Sequence, residues 1–160
     1  MTKFRREDGF SELALFQSAS DHLASASALF ELGPRYYDSA GYLSHLAIEL
    51  LIKALLLNKC NEFTDEHSLI NLKNKFENNH GSLIFCGDHE NTIKFLEGFK
   101  HLRYPKIVAP IEIGSDDWEK IEKLARFIFF LFPDSLQKQF INLDYTEKGN
   151  RKLMCRKLTT

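Results

Sequence analysis

The sequence predicts an all-α fold, an up-and-down bundle of about five helices in one domain. Three observations lead to this prediction. Apolar residues recur at intervals of three and four along most of the 160 residues, which is the period of a helix with one buried face. Segments with the alternating pattern of a strand are nearly absent. Glycines and prolines separate the periodic segments, so the connections between helices are short.

The first two helices carry the strongest periodicity. Ser11 is a suitable N-cap for the first helix, and Gly33 with Pro34 stops it. The second helix is expected from about Asp38 to Lys59. Its apolar residues cover most of its circumference, which is typical of a central, largely buried helix.

The next two helices are shorter. After a polar connection over residues 58–64, a third helix is expected with Thr64 or Asp65 as its cap. An irregular stretch over residues 77–90 follows. The fourth helix is expected to begin near Asn91 and to end by Tyr104, because a residue that precedes a proline is biased out of the helical conformation.

A fifth helix follows an extended segment, "PKIVAPIEIGS", that is bracketed by prolines. Asp116 and Glu119 resemble a capping box at its start, and Pro133 ends it. The stretch from Asp134 to Phe140 is expected to add a turn or two.

Composition and charge restrict the class of protein. The bundle is expected to occupy residues 1–140, and residues 141–160 form a basic tail that we expect to be weakly ordered unless a partner holds it. The net charge is −1, so binding to a polyanion would have to come from a local patch. Three distant cysteines and the lack of an apolar signal segment or a transmembrane-length run predict a soluble cytoplasmic protein.

The stretch "HLAIELLIKALLLNKC" contains three polar residues at intervals of four: His45, Glu49 and Lys53. They span about 80° of one helix face, and Glu49 precedes Lys53 in the favourable order for an ion pair. Two interpretations are open. We favour the solvated edge of an otherwise buried helix; the other is a polar seam that lines a cleft or a dimer interface, with a histidine that titrates near neutral pH.

Other kinds of site find little support. The histidines are scattered over several elements without a close pairing such as H-E-x-x-H, so we predict no metal and no cofactor. The chain has no G-x-S-x-G elbow, no phosphate-binding glycine loop and no dinucleotide fingerprint.

The segment "FKHLRYP" places Lys100, His101, Arg103 and Tyr104 at the end of the predicted fourth helix. The helix dipole favours cations there, which is one explanation of their position. The other is a small basic and aromatic patch that holds a phosphate and stacks on a base.

Taken together, these segments resemble the HEPN superfamily of α-helical domains. The order is a first helix rich in small residues, then "AGYLSHLAIELLIKALLL", then "DEHSLINL", and "RYP" after a fourth helix. The residues that match the family's pattern in the second helix are Ala47, Glu49, Lys53 and Leu55. His67 and Leu69 match the turn that follows. The resemblance covers roughly residues 10–132 and implies a helical domain of the kind found in prokaryotic defence and toxin–antitoxin systems.

Ribonuclease members of the superfamily share an Arg-x(4–6)-His motif, which a dimer contributes and which cleaves RNA without a metal. Arg103 stands about where that arginine would be, but no histidine follows His101 in the chain. The resemblance therefore implies a domain that lacks the catalytic motif.

The leading hypothesis is a non-catalytic, homodimeric binding module. Its ligand would be RNA, a nucleotide or a partner protein such as a nucleotidyltransferase of the same system. Arg103 and Lys53 would contact phosphate and Tyr104 would stack in a groove near the second helix. One alternative is a divergent ribonuclease that uses Arg103 with His101 or His45. Another is a purely structural oligomerisation protein.

Overall fold

A computed structural model describes residues 1–103 and 112–146 of the chain. This part contains six α-helices: α1 (Glu12–Leu32), α2 (Tyr37–Cys60), α3 (Leu69–His80), α4 (Asp88–Glu97), α5 (Ser115–Phe130) and α6 (Asp134–Thr146). It also contains two short strands, β1 (Lys3–Arg5) and β2 (Glu62–Thr64), and 3₁₀ segments at Arg6–Asp8, Pro34–Tyr36 and Gly98–Arg103. The predicted all-α fold is confirmed, with one more helix than expected.

The two long helices form the centre of the bundle. The predicted N-cap of α1 is confirmed, since the Ser11 hydroxyl accepts a hydrogen bond from the Ala14 amide at 3.1 Å. The helix ends before Gly33, whose φ of +113° suits a residue without a side chain. Helix α2 is the central helix that the sequence predicted, and it packs against α1, α3, α4 and α5.

Among the described residues, one segment is long and apolar enough to cross a membrane by length and composition, Pro34–Cys60. Its most apolar window is 78% buried inside the protein. This burial is what the core helix of a folded bundle shows, and a membrane protein is not indicated.

The segment after α2 differs from the polar connection that the sequence predicted. Strand β2 pairs antiparallel with β1, with Phe4 opposite Phe63. Phe63 is buried and its ring packs against those of Phe4 and Phe10. This pairing holds the chain before α1 against the end of α2. The Arg6 side chain also forms an ion pair with Glu12 at the start of α1.

The cap predicted for α3 is wrong. Thr64 belongs to β2, and the helix begins later, where the Ser68 hydroxyl accepts a hydrogen bond from the Asn71 amide at 3.2 Å. The irregular stretch after this helix is shorter than predicted and covers residues 81–87. Within it Phe85 is buried in the core, whereas Leu83 is exposed.

The fourth helix begins three residues earlier than expected and tightens into the 3₁₀ segment Gly98–Arg103. Phe99 in this segment is fully buried against α2 at Gly41. A Cβ atom at Gly41 would lie 2.3 Å from Phe99 Cε1, so a glycine allows this close approach. Tyr104 and the segment predicted to be extended, up to residue 111, lie outside the described residues.

The capping box predicted for α5 is also wrong. The Asp117 carboxylate, rather than Glu119, accepts a hydrogen bond from the backbone at the helix start, from the Gly114 amide at 2.8 Å. Helix α6 runs through Thr146, so the boundary predicted at residue 140 falls inside a helix. Stacking of Phe140 on Phe16 of α1, with ring centroids 4.0 Å apart, fixes α6 to the bundle. The remainder of the predicted basic tail, residues 147–160, is outside the described residues.

Candidate functional site

The polar stripe of α2 is buried. His45, Glu49 and Lys53 are 1%, 4% and 6% exposed. The solvated-edge interpretation is therefore wrong, because the 3₁₀ segment Gly98–Arg103 and the region of β2 also pack on α2. Three ionisable side chains in the interior of a bundle require partners, since an unpaired buried charge is strongly unfavourable.

Glu49 is the centre of this buried cluster. Its Oε1 accepts hydrogen bonds from Lys53 Nζ at 2.7 Å and from His67 Nδ1 at 3.0 Å. Its Oε2 lies 3.6 Å from His45 Nε2, which is too long for a hydrogen bond. No described residue donates a hydrogen bond to Oε2, although the atom is buried. One oxygen of the carboxylate is thus satisfied twice and the other is left without a donor.

The orientation of His45 is fixed by α4. Its Nδ1 lies 2.9 Å from the Leu96 carbonyl oxygen. A carbonyl oxygen only accepts, so Nδ1 carries the hydrogen. In the neutral ring, Nε2 is therefore an acceptor, and it faces Glu49 Oε2.

Glu49 stays ionised over the whole physiological range. Burial by itself raises the pKa of this carboxyl, but the hydrogen bonds from Lys53 and His67 and the positive charge of Lys53 outweigh burial and lower the pKa to about 2. The carboxylate and the Lys53 ammonium form an internal pair of opposite charges.

A small cleft of about 230 Å³ opens onto this cluster. Its lining residues are Tyr42, His45, Leu46, Glu49, His67, Lys100 and His101. The residues of the 3₁₀ segment and His67 are the more exposed ones, while His45 and Glu49 are buried and form the inner end. The cleft thus combines a polar floor with imidazoles, an ammonium group and a tyrosine nearer the solvent.

Glu97, at the end of α4, holds the parts of the cleft together. Its Oε2 accepts a hydrogen bond from the Leu69 amide at the start of α3, at 2.7 Å, and its Oε1 pairs with Lys100. Because the same side chain contacts both elements, it fixes the 3₁₀ segment relative to the turn that carries His67.

The structure brings together some of the predicted site residues. His45, Glu49 and His101 line one cleft, and Lys53 contacts Glu49 without lining it. Arg103 ends the 3₁₀ segment two residues after His101, and Tyr104 lies outside the described residues.

Three lining residues are additional to that predicted set, Tyr42, Leu46 and His67, whereas Lys100 belongs to the basic and aromatic patch that the sequence predicted. Tyr42 had a usable signal, since it precedes His45 by three residues on the same helix face. His67 stood in the family-like segment, but nothing local to it indicates that it reaches Glu49.

A larger cleft has a different character. It has a volume of about 750 Å³ between the starts of α4 and α5, and carboxylates outnumber lysines in its lining: Asp88, Asp116, Asp117 and Glu119 against Lys120 and Lys123. Such a surface repels a polyanion. Within residues 1–103 and 112–146, no group of three or more His, Cys, Asp or Glu side chains is arranged to hold a metal ion.

Comparison with known proteins gives one match. A family model described as "HEPN domain" matches residues 13–148, far more than half of the chain. No curated protein and no solved structure matches. The six-helix architecture agrees with the all-α fold of that family. The chain therefore belongs to the HEPN domain family.

Proposed function

We propose that this HEPN domain is a non-catalytic binding module whose cleft takes one nucleotide unit of single-stranded RNA. The observation that carries the proposal is the convergence of Tyr42, His67, Lys100 and His101 at one cleft. Imidazole, ammonium and aromatic groups are the ones that contact phosphates and stack on unpaired bases.

The charges around the cleft are balanced, so a phosphate can reach its hydrogen-bond donors without a net repulsion. Glu49 lines the cleft and pairs with Lys53, and Lys100 lines it and pairs with Glu97. The acidic cleft between α4 and α5 offers no comparable surface, so RNA binding is expected at the histidine-lined cleft.

The size of the cleft limits what enters it. A volume of about 230 Å³ is below the roughly 300–1,000 Å³ of pockets that enclose drug-sized ligands. One base or one phosphate fits, and the rest of the strand would run over the surface. The sequence pattern predicts a phosphate contact for Arg103, which follows His101 by two residues along the chain.

We further propose that the module is a homodimer, as the family resemblance implies, with the two clefts near a shared groove. Light scattering tests this proposal. A single species of 18.6 kDa at micromolar concentration would contradict it. Binding to a partner protein such as a nucleotidyltransferase is the alternative if no RNA is bound.

Fluorescence titration with labelled single-stranded RNA tests the binding proposal. Affinity should fall between about 50 and about 200 mM salt, because phosphate contacts release counterions. His101→Ala should weaken binding several-fold at both salt concentrations. The matched control is His22→Ala on α1, a histidine that does not line the cleft.

Two outcomes would contradict the proposal. Absence of salt-sensitive RNA binding would leave only protein partners. Equal loss of affinity in the His101 and His22 variants would place the RNA elsewhere on the surface.

A divergent ribonuclease is the second candidate, and one observation favours it. His45 and His101, the two histidines that could replace the missing motif histidine, line the same cleft. Incubation of labelled RNA with the protein, beside an Arg103→Ala variant, separates the candidates. We expect no cleavage that depends on Arg103, and cleavage that disappears in the variant would replace the binding module with an enzyme.

A further inference from the structure

We infer that the inner end of the cleft binds the exocyclic amino group of a nucleobase, so that the module prefers cytosine or adenine over uracil. This inference rests on the proposed function, since it names the part of the RNA that enters the cleft. It starts from the hydrogen-bond acceptors at the floor.

Two acceptors face each other there. Glu49 Oε2 is buried and receives no hydrogen bond from any described residue. His45 Nε2 lies 3.6 Å away and is also an acceptor in the neutral ring, because Nδ1 carries the hydrogen that is donated to Leu96. A group that satisfies both atoms must present two hydrogens from one position, as an amino group does.

The local charges favour a neutral amino group over a cationic one. Lys53 Nζ is already bonded to the same carboxylate at 2.7 Å, so the charge of Glu49 is compensated. The ammonium or guanidinium group of a peptide ligand would add a second cation to a carboxylate that already has one. The amino groups of cytosine and adenine carry two hydrogens and no charge.

Uracil cannot make the same contacts. Its O4 is an acceptor where cytosine has an amino group. Its one ring donor, N3–H, is flanked on both sides by carbonyl oxygens. If N3–H bonds to Glu49, a carbonyl oxygen lies towards His45 Nε2, and two acceptors are left facing each other out of water. A site that leaves buried polar groups unpaired rejects such a ligand.

A route to the floor runs past His67. Of the three side chains that contact Glu49, that of His67 is 49% exposed, against 1% for His45 and 7% for Lys53. His67 therefore has the greatest freedom to turn. We expect it to swing aside and admit the base, while Lys53 keeps the carboxylate in place.

The test compares ligands and leaves the protein unchanged. Short labelled oligocytidylate and oligouridylate are titrated against the full chain at one mildly alkaline pH. Cytidylate should bind about tenfold more tightly than uridylate. A third oligomer has N4,N4-dimethylcytidine in place of every cytidine. It keeps the cytosine ring but lacks both hydrogens of the amino group, and it should bind as weakly as oligouridylate.

The outcomes separate this inference from the proposed function. Equal, salt-sensitive binding of all three oligomers would overturn the amino-group inference and leave the RNA-binding module intact. No binding of any oligomer would overturn both. In the protein, Glu49→Gln should reduce the preference for cytidylate over uridylate, and an unchanged preference in this folded variant would place the amino group elsewhere.

Discussion

Two of the three buried glutamates in the described part of the chain are each paired with a lysine four residues away on the same helix, and the two pairs are used differently. Glu77 on α3 pairs with Lys73 at 3.0 Å through Oε2. Its Oε1 accepts hydrogen bonds from the amides of Ile84 and Phe85, at 3.0 and 2.8 Å. Glu49 on α2 pairs with Lys53 through Oε1, and its Oε2 has no donor among the described residues.

The difference separates a structural carboxylate from a candidate binding one. Both oxygens of Glu77 have donors, and the backbone amides it satisfies belong to the loop that inserts Phe85 into the core. Neither oxygen of Glu77 is left without a donor. Glu49 lines the histidine-lined cleft, so its buried oxygen without a donor is the candidate contact for a ligand there.

The largest effect is expected from Glu77→Ala. The variant leaves Lys73 without its buried partner and the Phe85 amide without an acceptor. Loss of one partner of a buried pair costs about 3–5 kcal/mol of the free energy of unfolding. Urea denaturation measures the loss, and RNA affinity per folded molecule should be unchanged.

Glu90→Ala is the control for that variant. Glu90 lies 3.6 Å from the same lysine, but its side chain is far more exposed than that of Glu77. Removing it should cost less than about 1 kcal/mol. Equal losses in the two variants would show that Lys73, and not the loop amides, determines the effect.

Acid should destabilise the domain through Glu49. The folded-state pKa is about 2, below the ordinary 4.5, so the stabilisation is complete above the unfolded-state value and is lost as the pH falls through the folded-state value. The loss between about pH 5 and pH 2 should approach about 3 kcal/mol. Denaturation midpoints at a series of pH values measure it.

The Glu49→Gln variant supplies the comparison, because it cannot ionise at this position. Its unfolding free energy should vary less with pH than that of the wild type over the same interval. The pKa of Glu77 is also lowered, despite the opposing effect of burial, by the Phe85 and Ile84 amides and Lys73. Some acid sensitivity therefore remains in the variant. A slope equal to that of the wild type would contradict the assignment to Glu49.

Much of the fold was predictable because its signals are local. The Ser11 cap, the stop at Gly33 and the apolar period of α2 each act within a few residues. The antiparallel pairing of β1 with β2 was not predictable, because each strand has three residues and the paired residues are about sixty positions apart in the sequence. No local pattern encodes such a pairing.

The site divides in the same way. The spacing of His45, Glu49 and Lys53 on one face was readable from the sequence, but their burial was not, because it depends on other elements packed against that face. The approach of His67 to Glu49 likewise depends on how α3 docks. Without knowledge of these contacts, polar residues on a helix are expected to face solvent. For His45, Glu49 and Lys53 this expectation was wrong.

A smaller effect is expected from Gly41→Ala, which changes the wall beside Glu49 and leaves both charged pairs in place. The new methyl group would lie 2.3 Å from the fully buried Phe99 ring, so the 3₁₀ segment with Lys100 and His101 must shift. Overpacking of this kind costs typically about 1–3 kcal/mol, less the helix-propensity gain of about 1 kcal/mol. Urea denaturation and RNA titration should both show a loss.

The control glycine for that variant is Gly114, where an added Cβ meets no atom within 4 Å. Gly114→Ala should cost below about 1 kcal/mol, from the weaker N-cap alone, with RNA affinity unchanged. If Gly41→Ala left RNA affinity unchanged while lowering stability, the position of the 3₁₀ segment would not matter for binding.

The smallest effect on stability, and the sharpest on function, is expected from Lys100→Ala. Lys100 and Lys120 each pair with a carboxylate three residues earlier, Glu97 and Asp117, but only Lys100 lines the histidine-lined cleft. Both substitutions should change the unfolding free energy by less than about 0.5 kcal/mol, because partly exposed pairs contribute little.

RNA titrations against salt then distinguish the two lysines. Lys100→Ala should weaken binding and reduce the slope of log affinity against log salt by about one, which corresponds to one lost phosphate contact. Lys120→Ala, in the acidic cleft, should leave the slope unchanged. An equal change of slope in both variants would indicate a general effect of the protein's charge. It would contradict the proposal that a phosphate binds at the histidine-lined cleft.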